Sequence, residues 1–146
     1  MNEKILIGRK DKACFPELDI EYVPVKIDTG AYTSSIHCHH IEEIEHEGKQ
    51  AISFELFDPE HSHYKHQKFI VTNYKQKKIK SSSGHSEKRY LISTSIKLFN
   101  KVYPIQMSLT ERGSMKYPVL LGRKILKKKF IVDPAKINLS FKHEHK

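Results

Sequence analysis

Apolar and polar residues alternate through most of this chain, and a period of two is the mark of strands with one buried face. Val23, Val25 and Ile27 alternate with Pro24, Lys26 and Asp28, and Ile52, Phe54 and Leu56 with Ser53 and Glu55. Ile92, Thr94, Ile96 and Leu98 oppose Ser93, Ser95 and Lys97; Tyr103, Ile105, Met107 and Leu109 follow with Gln106, Ser108 and Thr110 between them. Ile137, Leu139 and Phe141 close the series. The pattern predicts an all-β fold of half-buried antiparallel strands, as in a barrel or sandwich. One segment departs from it. In "GRKILKKKF", from Gly122, Ile125 and Leu126 are followed by charged good helix formers, which predicts one short helix.

A chain of 146 residues suits one domain spanning 1–146, and such a domain buries roughly 70% of its unfolded surface. Cys14 and Cys38 form no CxxC pair and fit a reducing cytosol. The start, "MNEKILIGRKDKACF", places charges around a short apolar run and does not read as a signal peptide. No run approaches the length of a membrane span. The expectation is a soluble, cytoplasmic protein. Two polar connections stand out: the His-rich "DPEHSHYKHQ" at 58–67, and the Gly-centred "KSSSGHSEKR" at 80–89, which reads as a hairpin tip.

The net charge of +9 is unevenly spread. Residues 1–64 carry 6 basic and 13 acidic groups, whereas 65–129 carry 17 basic groups against Glu87 and Glu111 alone. The halves could attract each other, within the fold or across an oligomer, or the basic half could face an anionic partner; solvated strand faces are the plainer reading. Lys75, Lys77, Lys78, Lys80, Lys88 and Arg89 could meet phosphates. No helix-turn-helix, zinc finger or RNP signature accompanies them, so nucleic acid is not the expected partner.

Asp28 stands where an apolar strand ends, followed by Thr29 and by Gly30, whose backbone freedom permits a sharp turn. A carboxylate so held serves either chemistry or a hydrogen-bonded turn. Asp28-Thr29-Gly30-Ala31 resembles the catalytic loop of retropepsin-type aspartic peptidases. "VLLGRKIL" from Val119 resembles their apolar-apolar-Gly-Arg segment leading into a helix, and the tip at 81–86 lies between them, where that family has its flap. "KIDTGAYTSSIH", "IKSSSGHSEKRYLI" and "YPVLLGRKILKKKFIVDP" together resemble a bacterial group of small retropepsin-like proteins long labelled ATP-dependent zinc proteases. The likeness spans nearly the whole chain, with a longer insertion between Asp28 and the flap than in viral retropepsins.

The resemblance implies an acid-protease barrel, a two-fold homodimer, and an aspartic endopeptidase whose catalytic residues are Asp28, Thr29 and Gly30. Peptide hydrolysis by this route takes two carboxylates, one accepting a proton from attacking water and the other donating to the carbonyl oxygen. Asp58 and Asp133 precede prolines without a Thr-Gly and read as turn residues, so the second carboxylate is expected from Asp28 of a second copy. Two such groups about 3 Å apart repel by roughly 5 kcal/mol at an effective dielectric near 20, so one shared proton is expected. By the same resemblance Thr29 would brace the two loops across the dimer, and Ala31 would leave room for substrate. Ser82, Ser83, Gly84 and His85, within a flap at 80–89, would close over the bound peptide. Leu120-Leu121-Gly122 would pack beneath the Asp28 loop, and "KILI" and "KINLSF" would interleave as dimer strands. The basic flap region suggests acidic peptides, glutamate-rich ones among them, as substrates. The alternative is a peptide-binding module of the same fold without turnover.

The older label directs attention to metal ligands in "IHCHH" and to His61, His63 and His66. On an extended strand His37 and His39 point one way, and Cys38 and His40 the other, so they converge only where the backbone departs from extended geometry. HExxH, GxxxxGK[ST] and GxSxG are absent. No metal site and no cofactor are expected.

Overall fold

The computed structural model describes residues 3–80, 84–111 and 117–146. Strands β1 (Ile5–Ile7), β2 (Lys10–Phe15), β3 (Ile20–Ile27), β4 (Ser34–His46), β5 (Lys49–Leu56), β6 (Lys68–Val71), β7 (Tyr74–Lys80), β8 (Ser86–Leu98) and β9 (Lys101–Thr110) precede β10 (Val119–Leu121) and helix α1 (Arg123–Leu126); β11 (Phe130–Val132) and helix α2 (Leu139–Glu144) follow. Six strands close a barrel in the order β3-β2-β8-β9-β4-β10, with β10 pairing back onto β3. Closure removes sheet edges that would otherwise expose unpaired backbone groups.

The alternation placed strands within β3, β5, β8 and β9 as expected. It did not give their directions: β10 runs parallel to β3, β4 to β9, and β1 to β11. Side-chain periodicity is the same in parallel and antiparallel pairs, so direction had no signature in it.

Strand β4 belongs to two sheets. Ser34 to His37 pair with β9 inside the barrel, while Cys38 to His46 leave it to pair with β5, which carries β6 on its other side. The register shifts between His39 and Glu42, and His40 takes a left-handed φ of 55°. Strict alternation therefore fails at "IHCHH". His37 and Cys38 are both buried, and His39 and His40 approach the same carboxylate, that of Glu55.

The residues 137–141 are not a strand. Asn138 adopts φ 58°, and Leu139–Glu144 form α2, docked on β2. The reason is long-range: Asp11 of β2 accepts the Ser140 and Phe141 amide N–H groups at 2.8 and 3.0 Å, satisfying donors that a helix start leaves open. Alternation would put Ser140 on the outer face, yet it is fully buried, and its hydroxyl accepts the Phe99 N–H at 2.8 Å. The C-terminal segment is thus a helix and not the dimer strand expected of "KINLSF". "KILI" forms β1, which pairs with β11. The short helix after Gly122 is present as the single turn α1.

Phe15, Phe54, Phe57, Ile36, Ile96 and Leu121 are among the fully buried side chains that fill the barrel and the β4–β5 layer. Each contributes about 1.5–3 kcal/mol by leaving water. The Asp28 loop is set on the end of this packed frame.

Candidate active site

β3 ends at Ile27, and Asp28 is held at once by its backbone, the amide N–H donating to Leu121 O of β10 at 2.8 Å. Its Oδ1 accepts the Gly30 N–H at 3.0 Å, and the Ala31 N–H donates back to Asp28 O at 3.2 Å. The carboxylate does make the hydrogen-bonded turn, with one oxygen. Among the described residues Oδ2 carries no hydrogen bond.

The chain leaves this turn strapped to the β10–α1 junction. The Arg123 and Lys124 amides at the start of α1 donate to Ala31 O and Tyr32 O at 2.8 and 2.9 Å, and Arg123 Nη1 donates to Thr29 O at 2.9 Å. Helix-start donors and loop carbonyls satisfy one another, which fixes the loop with no cap from a side chain. Gly122 is required for the approach: a Cβ there would lie 2.6 Å from Tyr32 O. Its amide donates to the hydroxyl of the buried Ser34 at 3.0 Å. The expected packing of Leu120-Leu121-Gly122 against the Asp28 loop is present, as β10 sits between β3 and β4.

The β7–β8 hairpin lies between the two segments in sequence, and its base reaches the same site. A cleft of about 260 Å³ is lined by Asp28, Ala31, Ser108, Leu120 and, from the hairpin, Lys77 and Arg89. Lys77 and Arg89 are register partners across the hairpin, so two cations line the same cleft as the carboxylate. Asp28 is the one acidic residue among the described residues lining the cleft. The Ser108 hydroxyl is buried without a hydrogen-bond partner. Asp28 and Ala31 are half-buried, whereas Thr29 and Gly30 are exposed beside them. Gly84 has φ 87° and is exposed, as is His85, at the far end of the hairpin from Lys77 and Arg89. Ser82 and Ser83 lie outside the described residues.

Sequence reading did not assign Ser34, Ser108 or Lys77 to the Asp28 site, and it took in Arg89 only as part of the basic flap at 80–89. The fold places Lys77 and Arg89 together on the lining of the Asp28 cleft. Ser34 could have been suspected as a hydroxyl interrupting an apolar stretch near a glycine, but its partner is 88 residues away.

The chain is 37% identical over 134 residues to a probable alpha-L-glutamate ligase of Shewanella pealeana, and 36% identical over 135 residues to one of Desulfotalea psychrophila. These alignments cover 92% and 90% of this chain but only 29% and 28% of those proteins, so the chain spans under a third of their length. The crystal structure of a Legionella pneumophila protein of unknown function superposes with a TM-score of 0.70 at 29% identity, covering 94% of this chain and 99% of that one. Residues 6–143 match the RimB-like family, described as retropepsin-like aspartic endopeptidase RimB. With nearly its full length matched, and with the Asp28 loop, the β7–β8 hairpin and β10 meeting at one cleft, the chain belongs to the RimB-like family of retropepsin-like aspartic endopeptidases.

Proposed function

We propose that this protein is an aspartic endopeptidase whose site is completed by a second copy of the chain, each contributing Asp28, and that it hydrolyses acidic, glutamate-rich peptides. The observation that carries the reading is the cleft, which joins the Asp28 loop, β10 and the hairpin base around one carboxylate. A single carboxylate is half of an acid–base pair. With two Asp28 side chains sharing a proton, the ionised one accepts a proton from water as its oxygen attacks the peptide carbonyl, while the protonated one donates to the carbonyl oxygen. Collapse of the tetrahedral intermediate then breaks the C–N bond, the leaving nitrogen taking a proton from the dyad. Thr29, exposed beside Asp28, would brace the loops across the two-fold axis. Ser82, Ser83, Gly84 and His85 would close over the substrate, with Ala31 lining the floor.

Lys77 and Arg89 support the substrate class. Two cations at the cleft wall favour carboxylate-bearing side chains beside the scissile bond. The names of the longer relatives point the same way, since a glutamate ligase handles glutamate; that name belongs to proteins of which this chain matches under a third. The chain itself lacks the GxxxxGK[ST] nucleotide loop. Those names favour a second reading, a module that holds glutamate-containing peptides without cleaving them.

The test is a peptide-library cleavage assay from about pH 3 to 8, bracketing a carboxylate dyad, run on wild type and Asp28→Asn. Cleavage by wild type alone supports the peptidase. Cleavage surviving in the variant sinks the assignment of Asp28, and binding without cleavage in both selects the module. Equal, salt-insensitive turnover of matched acidic and basic peptides would overturn the acidic preference.

A further inference from the structure

We propose that His39, His40 and Glu55 form a binding site for one divalent cation of borderline softness, of the Zn²⁺ type. The site shares no residue with the Asp28 cleft and stands independently of the peptidase reading. One ligand atom from each of the three residues lies within 4.8 Å of the others. Glu55 Oε2 is 2.8 Å from His40 Nδ1 and 3.8 Å from His39 Nε2. Tetrahedral coordination with bonds of about 2.0–2.1 Å sets ligand atoms about 3.3 Å apart. The separations to Glu55 straddle that value, and the two imidazole nitrogens lie within 4.8 Å of each other, so the cation enters as the side chains draw in by up to about 1.5 Å. Two imidazoles and one carboxylate form a donor set that suits Zn²⁺, with the fourth position left to water.

Neighbouring residues of a regular strand point to opposite faces. His39 and His40 meet at one carboxylate because His40 takes φ 55° where the β4 register shifts, a conformation costly for a side-chain-bearing residue. The surroundings orient the ligands as well. The Tyr64 hydroxyl donates to Glu55 Oε1 at 2.9 Å, leaving Oε2 to the histidines, and the Tyr64 ring stacks on His39 at 5.8 Å. Such outer contacts hold ligands in place before an ion arrives. Cys38, next in sequence, takes no part: it is fully buried and its sulfur is not among the converging ligand atoms. The bound cation would rivet the kink of β4 to β5 and, through Tyr64, to the 57–67 connection.

Zn²⁺ titration by calorimetry and native mass spectrometry tests this, with Co²⁺ absorption reporting geometry. Wild type is expected to bind one equivalent and to give a tetrahedral Co²⁺ spectrum. His40→Asn keeps a residue tolerant of the left-handed backbone, and Glu55→Gln keeps shape; each should weaken binding by about tenfold or more, and Tyr64→Phe by about tenfold. His61→Ala and the His143→Ala/His145→Ala pair should leave affinity unchanged. Circular dichroism confirms that the variants fold. No uptake by wild type, unaltered affinity in both His40→Asn and Glu55→Gln, or loss that follows His143 and His145 instead would overturn the proposal.

Discussion

Two aspartates belong to neighbouring strands β2 and β3 and accept backbone hydrogen bonds, yet their surroundings suit them to opposite work. Asp11, in β2, is 2% exposed and takes three amide N–H groups, from Lys12, Ser140 and Phe141. Asp28, one strand away at the end of β3, is half-buried and takes one, from Gly30. Saturated acceptors have nothing left for a ligand; Asp11 joins two segments 129 residues apart and is structural. An aspartate with one oxygen pinned, the other without a hydrogen bond among the described residues, and a cleft beside it is oriented and still available. Hydrogen-bond accounting separates the two where residue type does not.

Removing each carboxylate sharpens the contrast. Asp28→Asn removes the ionisable carboxyl, so cleavage of a responsive peptide should fall by roughly a thousandfold or more, while it keeps the Oδ1 acceptor for Gly30, so the unfolding free energy in urea stays within about 0.5 kcal/mol of wild type. A large loss of stability would break the comparison by making Asp28 structural too. Asp11→Ala should do the reverse. Three buried donors lose their acceptor, destabilising the fold by about 3 kcal/mol, with activity per folded molecule retained. Gly122→Ala should combine both effects: relieving the 2.6 Å approach to Tyr32 O moves the Asp28 loop, costing about 2 kcal/mol and lowering turnover. Unchanged turnover in that variant would show that the corner does not position Asp28.

The smallest effect is on pH dependence. Burial raises the Asp11 carboxyl above its ordinary 3.8, against the three amide bonds that lower it. A raised folded-state value means that the folded protein holds the proton more tightly, so in the window between 3.8 and the raised value stability falls as pH rises. Denaturation across that window should show wild type losing ground to Asp11→Asn as pH increases. Wild type gaining ground would mean that the amide bonds outweigh burial.

Most barrel strands were legible because each buries one face, and Asp28, Gly30 and Gly122 were legible because a strand end and two glycines mark the turns. The failures share a cause. Ser140 and Asn138 read as strand residues until Asp11, far away in sequence, supplies the helix start. His39 and His40 read as divergent until a register shift, set by β5, turns one of them. Lys77 reads as surface charge, and Arg89 as one cation of the flap, until the fold places both on the cleft lining. In each case a partner remote in sequence overrode a local pattern.

The exchange of hydrogen bonds between α1 and the Asp28 loop makes two segments 94 residues apart into one opening unit. The Arg123 and Lys124 amides can meet solvent only when the carbonyls of Ala31 and Tyr32 let go. Their deuterium uptake is therefore a clock on the aspartate loop itself, readable without any substrate.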